Sequence, residues 1–242
     1  MGERTDDLQY KGLMFIQDDR YFSFGTDAVL LARFSTVKKG EKAVDFGTGT
    51  GIIPVLLAKD TDASFFGIEL QEGPAALAER NVRLNGLEDR VTIINGDIRD
   101  SLRLTGGYAD VVICNPPYDR PGSGAMKDSC EIRLARYEIG ITLEEIVSSA
   151  SGMLQTAGRL YMIHRAKRTA ELIYLMKQYR LEPKQMRFVQ SQEGKVPGYV
   201  LVKCVKDGKE GIDVLPPLIM YDGNGELTDE VRRMYHIRKD SI

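Results

Sequence analysis

The stretch Asn115-Pro116-Pro117-Tyr118 follows an apolar run, "DVVIC", and puts an amide, two prolines and an aromatic ring where a buried strand must end. Proline supplies no backbone donor to a sheet and fixes φ, so a strand gives way here to a rigid loop. Such a loop can hold the Asn115 side-chain oxygen and the Pro116 carbonyl side by side as two acceptors. Together they suit an NH2 group that must donate both hydrogens. An amine of that kind, on adenine or on an amide, is planar because its lone pair is delocalised, and it is a poor nucleophile. Holding its hydrogens favours a pyramidal nitrogen as the new bond forms, which stabilises the transition state more than the ground state. Tyr118 offers a flat face for a planar substrate to stack on.

A second group of residues precedes it. "VDFGTGTGIIP" sets Asp45, Gly47, Thr48, Gly49 and Gly51 between a strand and a helix, where glycines let the backbone approach a ligand closely. The spacing is G-x-G-x-G, with an acidic residue before it. A carboxylate there would repel a pyrophosphate but could accept from an ammonium group, so an amino-acid end fits better than a dinucleotide. Glu69 ends the next strand, with Leu70 behind it, where a carboxylate can take the two hydroxyls of a ribose. Asp97, followed by Ile98, ends the third, where it could accept from an adenine amino group. An amino-acid end, a ribose and an adenine describe S-adenosylmethionine.

These residues must stand at the ends of strands that share one sheet. From Lys42 the chain alternates short apolar strands ("KAVDF", "SFFGIEL", "VTIING", "ADVVIC", "GRLYMIH") with amphipathic helices, which predicts an α/β, Rossmann-like, mostly parallel sheet covered on both faces. "KQMRFVQ" and "GYVLVKCVK" are separated by "SQEGKVP", too short for a parallel crossover, so they form a C-terminal antiparallel hairpin in a seven-stranded sheet. Before the alternation, "LQYKGLMFIQDDRYFSFG" reads as a hairpin turning at Gln17-Asp18-Asp19-Arg20, and Thr26 reads as the cap of a helix, "DAVLLARFS". The expected organisation is an N-terminal hairpin and helix over 1–40, a cofactor-binding catalytic domain over 41–206 and a C-terminal extension with a tail helix over 207–242. "DRPGSGAMKDS", residues 119 to 129, reads as a mobile loop.

Bulk properties narrow the class. With 242 residues, 43% hydrophobic and 28% charged, the chain can bury one good core. No apolar run reaches membrane-spanning length and the N-terminus is too polar for a signal peptide, so a cytoplasmic protein without membrane attachment is expected. Cys114, Cys130 and Cys204 share no metal-ligand spacing with His164 or His236, so no metal is expected, and Cys114 reads as a buried hydrophobe. The net charge of −2 hides a local basic excess between Arg159 and Arg187 and in the tail. Arg165, Lys167, Arg168, Lys195, Arg232 and Arg233 are the candidates for phosphate contacts. A monomer is expected.

The chain resembles the class I S-adenosylmethionine-dependent methyltransferases, with "DFGTGTG" as cofactor loop and "NPPY" as the signature of amino-group methylation. More closely, "FSFGTDAVLLARF", "LARYE" at 134 to 138 and the "VPGYVLVKCVK…LPPLIMYDGNGELTDEVRRMY" tail are similar to the bacterial valine-tRNA adenine-N6 methyltransferases over nearly the whole chain. That resemblance implies methylation of the adenine adjoining the anticodon, with tRNA as partner. It makes Asn115 to Tyr118 catalytic, gives the cofactor Asp45, Gly47, Gly49, Glu69 and Asp97, and puts Thr26 and Asp27 near its methionine end. Departures are Phe46, where Leu is common, and Tyr137, where His is common. Release-factor glutamine methyltransferases also carry NPPY, but they have a helical domain ahead of the cofactor domain, for which this chain has only about 40 residues. Adenine in ribosomal RNA or DNA, and a nucleotide-binding module without catalysis, remain open.

Overall fold

The structure, a computed structural model, describes residues 2–21, 23–118 and 140–235. The expected loop 119–129, "LARYE" with Tyr137, Cys130 and His236 lie outside the described residues.

Successive apolar residues along each strand sort onto opposite faces of the sheet, and those two apart share a face. In β3 (Lys42–Phe46) Ala43 joins one core while Val44 and Phe46 join the other; in β6 (Ala109–Cys114) Val111 and Ile113 oppose Val112 and Cys114. A period of two with both faces apolar requires cover on both sides. α1 (Thr26–Phe34) and α2 (Ile52–Ala58) cover one face; α5 (Leu143–Met153) and α6 (Thr169–Gln178) cover the other. α5 starts where Thr142 and Glu145 form a reciprocal capping box.

The sheet order is β10 (Asp213–Val214), β8 (Leu181–Gln190), β9 (Tyr199–Lys206), β7 (Leu154–Arg165), β6, β3, β4 (Ser64–Glu69) and β5 (Val91–Asn95), with β11 (Leu218–Ile219) also on β8. β4, β5, β3, β6 and β7 are parallel, whereas β9 pairs antiparallel with both β7 and β8. The expected fold class and terminal hairpin are therefore present. The C-terminal segment adds two short strands, β10 and β11, making nine rather than seven strands in this sheet among the described residues. α7 (Asp229–Tyr235) closes on α1, where Arg33 Nε donates to the Met234 carbonyl at 2.9 Å. Among the described residues no helix is long and apolar enough to cross a membrane.

Three local expectations differ. The N-terminal hairpin turns at Leu8–Leu13, between β1 (Glu3–Asp7) and β2 (Met14–Asp18), not at Gln17–Arg20. β1, "ERTDD", is polar on both faces because it is an exposed edge, so no alternation marks it. The free edge of β2 is closed by α3 (Glu72–Leu84) and the residue after it: Asn81 pairs with the backbone of Ile16, and Asn85 with that of Met14. Four helical residues rise about 6 Å and two strand residues about 6.7 Å, so asparagines four apart match alternate strand residues. Thr26 is not a cap: Gly25 is the N-cap residue and no side chain caps it. Between β5 and β6, where no helix was expected, Ile98–Asp100 forms a 3-10 turn and Ser101–Leu104 a short helix, α4. The chain needs them to cross from β5 to β6 on the far side of β3.

Candidate active site

β3 leads to β4 and β5 on one side, while β6 and β7 lie on the other, so the connections diverge at β3/β6. A crevice opens at the carboxyl ends of strands around such a point. Here it is a cavity of about 940 Å³ lined by the glycine loop, Glu69, Leu70, Asp97 and Ile98 and by Asn115 to Tyr118; Phe46 pairs with Cys114, so the loop and Asn115 leave neighbouring strand ends. Because β9 is antiparallel, its first residue, Tyr199, reaches the same edge, as do Val189 and Ser191 at the end of β8.

The first wall is built from strand ends in chain order. Gly47 and Gly49 have φ of 67° and 56°, in the left-handed region, and a Cβ on either would meet nothing within 4 Å. Glycine serves here for its backbone conformation and leaves an open cradle. Gly49 N–H donates to Glu69 Oε2 and Gln71 N–H to Glu69 Oε1, both at 2.9 Å. Burial raises the Glu69 carboxyl above its ordinary value, and the amides of Gln71, Gly49 and Leu70 oppose that. Each carboxylate oxygen retains a lone pair for a hydroxyl. Asp97 lines the cavity while Arg99 grips both its oxygens, and the guanidinium holds its carboxyl below the usual range.

Two expected cofactor residues stand elsewhere. Asp45 lies beneath the loop and does not line the cavity; its Oδ2 accepts from Thr48 Oγ1 at 2.7 Å and its Oδ1 is buried with no partner among the described residues. Burial pushes Asp45 up to about 7, with the Thr48 hydrogen bond opposing. Asp45 thus stands behind the cavity lining, bonded to Thr48 of the loop, rather than in the lining itself. Gly51, the N-cap residue of α2, packs against α3, where a Cβ would lie 3.1 Å from that of Ala78, and it does not line the cavity.

The second wall converges from distant segments. Asn115 Nδ2 donates to Asp27 Oδ2 at 3.2 Å, Tyr118 OH donates to the same oxygen at 2.6 Å, and Tyr118 OH also contacts Asn115 Oδ1. Thr26 and Asp27 line the cavity, and Asp27 is bonded to the NPPY residues. The Tyr118 ring meets His164 edge-on at 5.6 Å and Tyr199 at 5.5 Å, while the Arg165 guanidinium lies 5.0 and 4.8 Å from the Tyr118 and Tyr199 rings. Burial, then Asp27, raises the Tyr118 hydroxyl well above its ordinary value, so it stays protonated. His164 is fully buried; its Nδ1 accepts from Arg165 N–H, and burial with Arg168 nearby lowers it to about 4. The neutral imidazole therefore carries its hydrogen on Nε2.

His164, Tyr199 and the Asp27 contact were not anticipated from the sequence. Tyr199 had a usable signal: a strand antiparallel to β7 must begin at the edge where the parallel strands end. Cys114 is buried and its thiol is raised by desolvation, as a packing residue should be. Among the described residues no group of three or more His, Cys, Asp or Glu could hold a metal ion.

The basic residues divide. Arg168 is buried, gripped by Glu171, with Nη1 3.5 Å from the Tyr118 carbonyl, and so is not presented to a phosphate. Arg232 is folded onto the Leu227 carbonyl and Glu226. Arg159, Lys177, Arg180 and Arg187 pair with Glu41, Glu182, Asp207 and Glu230. Lys167, Lys195 and Arg233 are exposed with no ion pair among the described residues, and Arg165 lines the cavity mouth.

A diverging parallel sheet with a terminal antiparallel hairpin, carrying a glycine cradle and an acidic strand end at its carboxyl edge, is the class I methyltransferase architecture. The chain belongs to the methyltransferase small domain family, whose model matches residues 20–189, and to the family of the tRNA1(Val) (adenine(37)-N6)-methyltransferase of Porphyromonas gingivalis, to which it is 30% identical over 95% of this chain and 93% of that protein. In fold it is similar to the crystal structure of a predicted O-methyltransferase, protein Atu636, from Agrobacterium tumefaciens (TM-score 0.70, 22% identity, covering 87% of this chain and 96% of that one). It is also similar to geranyl diphosphate C-methyltransferase from Streptomyces coelicolor, solved with S-adenosyl-L-homocysteine (TM-score 0.53, 14% identity, covering 74% and 78%).

Proposed function

We propose that this methyltransferase moves a methyl group from S-adenosylmethionine to the exocyclic N6 of an adenine in tRNA, the adenine at position 37 of a valine tRNA. The observation that carries the reading is that one cavity holds both the glycine cradle and Asn115 to Tyr118. The cradle fits the cofactor: Gly47 and Gly49 leave open space at their Cα atoms, and Glu69 faces it from the next strand end. When bound, S-adenosylmethionine supplies a methyl carbon made electrophilic by its sulfonium.

The chain's residues do the rest. Gly47, Thr48, Gly49, Glu69, Leu70, Asp97 and Ile98 hold the donor. Asn115 Oδ1 and the Pro116 carbonyl accept the two N6 hydrogens, so the adenine amine meets its acceptors best as its nitrogen becomes pyramidal. The base leaves its stack to enter the cavity, and Arg165 between Tyr118 and Tyr199 flanks the entrance with planar and cationic surface. Lys167, Lys195 and Arg233 are available for phosphates.

The test is direct. Purified protein, labelled S-adenosylmethionine and unmodified valine tRNA should give N6-methyladenosine on digestion, and replacing adenine 37 by guanine should abolish it. Label in a release factor and not in tRNA would overturn the reading in favour of amide methylation.

A further inference from the structure

Asn115 is useful to an incoming amine only if its oxygen, not its NH2, faces the cavity, and only if that oxygen is free. An amide side chain has no intrinsic preference between its two ends. Asp27, from the first turn of α1, supplies one. A carboxylate accepts and never donates, so Oδ2 selects the Asn115 NH2, and the amide oxygen must face the other way. The Tyr118 hydroxyl touches both Asp27 Oδ2 and Asn115 Oδ1 but has a single hydrogen. Hydrogen bonds to a carboxylate are the stronger, so the hydrogen goes to Asp27 and the amide oxygen keeps its lone pairs.

Asp27 is itself held in place. Its Oδ1 accepts from Ala28 N–H at 3.0 Å, and a side chain on Gly25 would put a Cβ only 2.6 Å from that oxygen. The glycine before the helix thus leaves room for the carboxylate.

We propose that Asp27 is a positioning residue: it sets which end of the Asn115 amide faces the substrate and draws the Tyr118 hydrogen away from the Asn115 oxygen. The proposal rests on the methyl-transfer reading above. Without Asp27 the Tyr118 hydrogen turns to Asn115 Oδ1, the acceptor still in reach, and occupies the site the amine needs.

The test measures single-turnover methylation of tRNA at saturating cofactor. Asp27→Ala should slow it by about 10- to 100-fold, the range for losing a hydrogen bond to a charged group. Asp27→Asn, which keeps the shape, should fall between, and Gly25→Ala should slow the reaction in the same direction. The diagnostic variant combines Asp27→Ala with Tyr118→Phe. Removing the hydroxyl that now blocks Asn115 should recover at least about threefold of the lost rate. Losses that simply multiply would overturn the proposal. A readout that needs no substrate separates this from the function itself: the side-chain NH2 of Asn115, assigned in the NMR spectrum by its loss in Asn115→Ala, should exchange slowly in the wild type and faster in Asp27→Ala and Asp27→Asn. Equal protection in all of them would overturn the role of Asp27. If the wild type methylates no tRNA, the proposed function fails while the amide measurement still decides on Asp27.

Discussion

The two walls of the cavity are assembled in opposite ways. The glycine-loop wall takes one short motif from the end of each of β3, β4 and β5, in chain order, and its bonds run within a motif (Thr48 to Asp45, Arg99 to Asp97) or between neighbouring strand ends (Gly49 to Glu69). The NPPY wall gathers Asp27, Asn115 to Tyr118, His164 to Arg168 and Tyr199, segments from across the chain that meet only when the sheet closes. A ligand common to many proteins can be held by local motifs repeated strand by strand. A reacting group needs side chains oriented against one another, and that takes long-range contacts.

The largest expected effect separates the walls by function. Asn115→Ala should cut turnover by about 3 kcal/mol or more of barrier, comparable to losing an oxyanion-type donor, with affinity for S-adenosylhomocysteine within a few-fold of wild type. Stopped turnover assays and calorimetry check both halves. Turnover near the wild-type rate would remove Asn115 from the chemistry.

The walls also rest on buried groups that titrate in opposite senses. His164 is lowered from 6.5 to about 4, so it contributes stability in full above about pH 6.5 that is lost as pH falls towards 4. Asp45 is raised from 3.8 to about 7, so the folded state retains its proton longer, and stability declines as pH rises through that window; Glu69 acts in the same sense. In the wild type the two oppose each other. His164→Phe should leave a protein that gains stability between pH 7.5 and 5, and Asp45→Asn one that loses it, each by up to about 3 kcal/mol. Urea unfolding at both pH values measures this. Identical pH profiles for the two variants would contradict the contrast.

Smaller is the converse of the Asn115 experiment. Glu69→Ala leaves Gly49 N–H without its partner and removes the acceptor facing the cradle, so cofactor affinity should weaken by about 2 kcal/mol while turnover at saturating cofactor stays within a few-fold. A drop in turnover with affinity intact would mean that the walls do not divide the work.

The same contrast governs what could be read in the sequence. The parallel sheet, the terminal hairpin and the strand-end residues Glu69, Leu70, Asp97 and Ile98 follow from hydrophobic period and from position at strand ends, which are local properties. Asp45 was visible as an acidic residue before a glycine loop, but whether it faced the ligand or the loop's underside depended on the packing of Thr48 and Glu69. β1 escaped notice because an exposed edge has no buried face to alternate with. The basic run 159–187 was visible as charge, yet its partners Glu41, Asp207 and Glu230 come from far along the chain. Asp27 could be placed at the cavity but not against Asn115, since no spacing rule links residues 88 positions apart.

The smallest effect expected lies outside both walls, where charge acts without orientation. Lys167, Lys195 and Arg233 are exposed and unpaired among the described residues, whereas Lys177 and Arg180 are engaged with Glu182 and Asp207. A cation free to approach a phosphate releases condensed counterions; one already neutralised by a carboxylate releases few. Each phosphate contact contributes roughly 0.7 to 0.9 to the slope of log affinity against log salt. Reversing Lys167, Lys195 and Arg233 to Glu together should therefore weaken tRNA binding and flatten that slope by about 2. Reversing Lys177 and Arg180 should leave it nearly as it was. Cofactor binding should not change in either variant, because none of these side chains lines the cavity. Filter binding across a salt series separates the two sets. Equal slopes for both would leave all five as ordinary solvated surface charge.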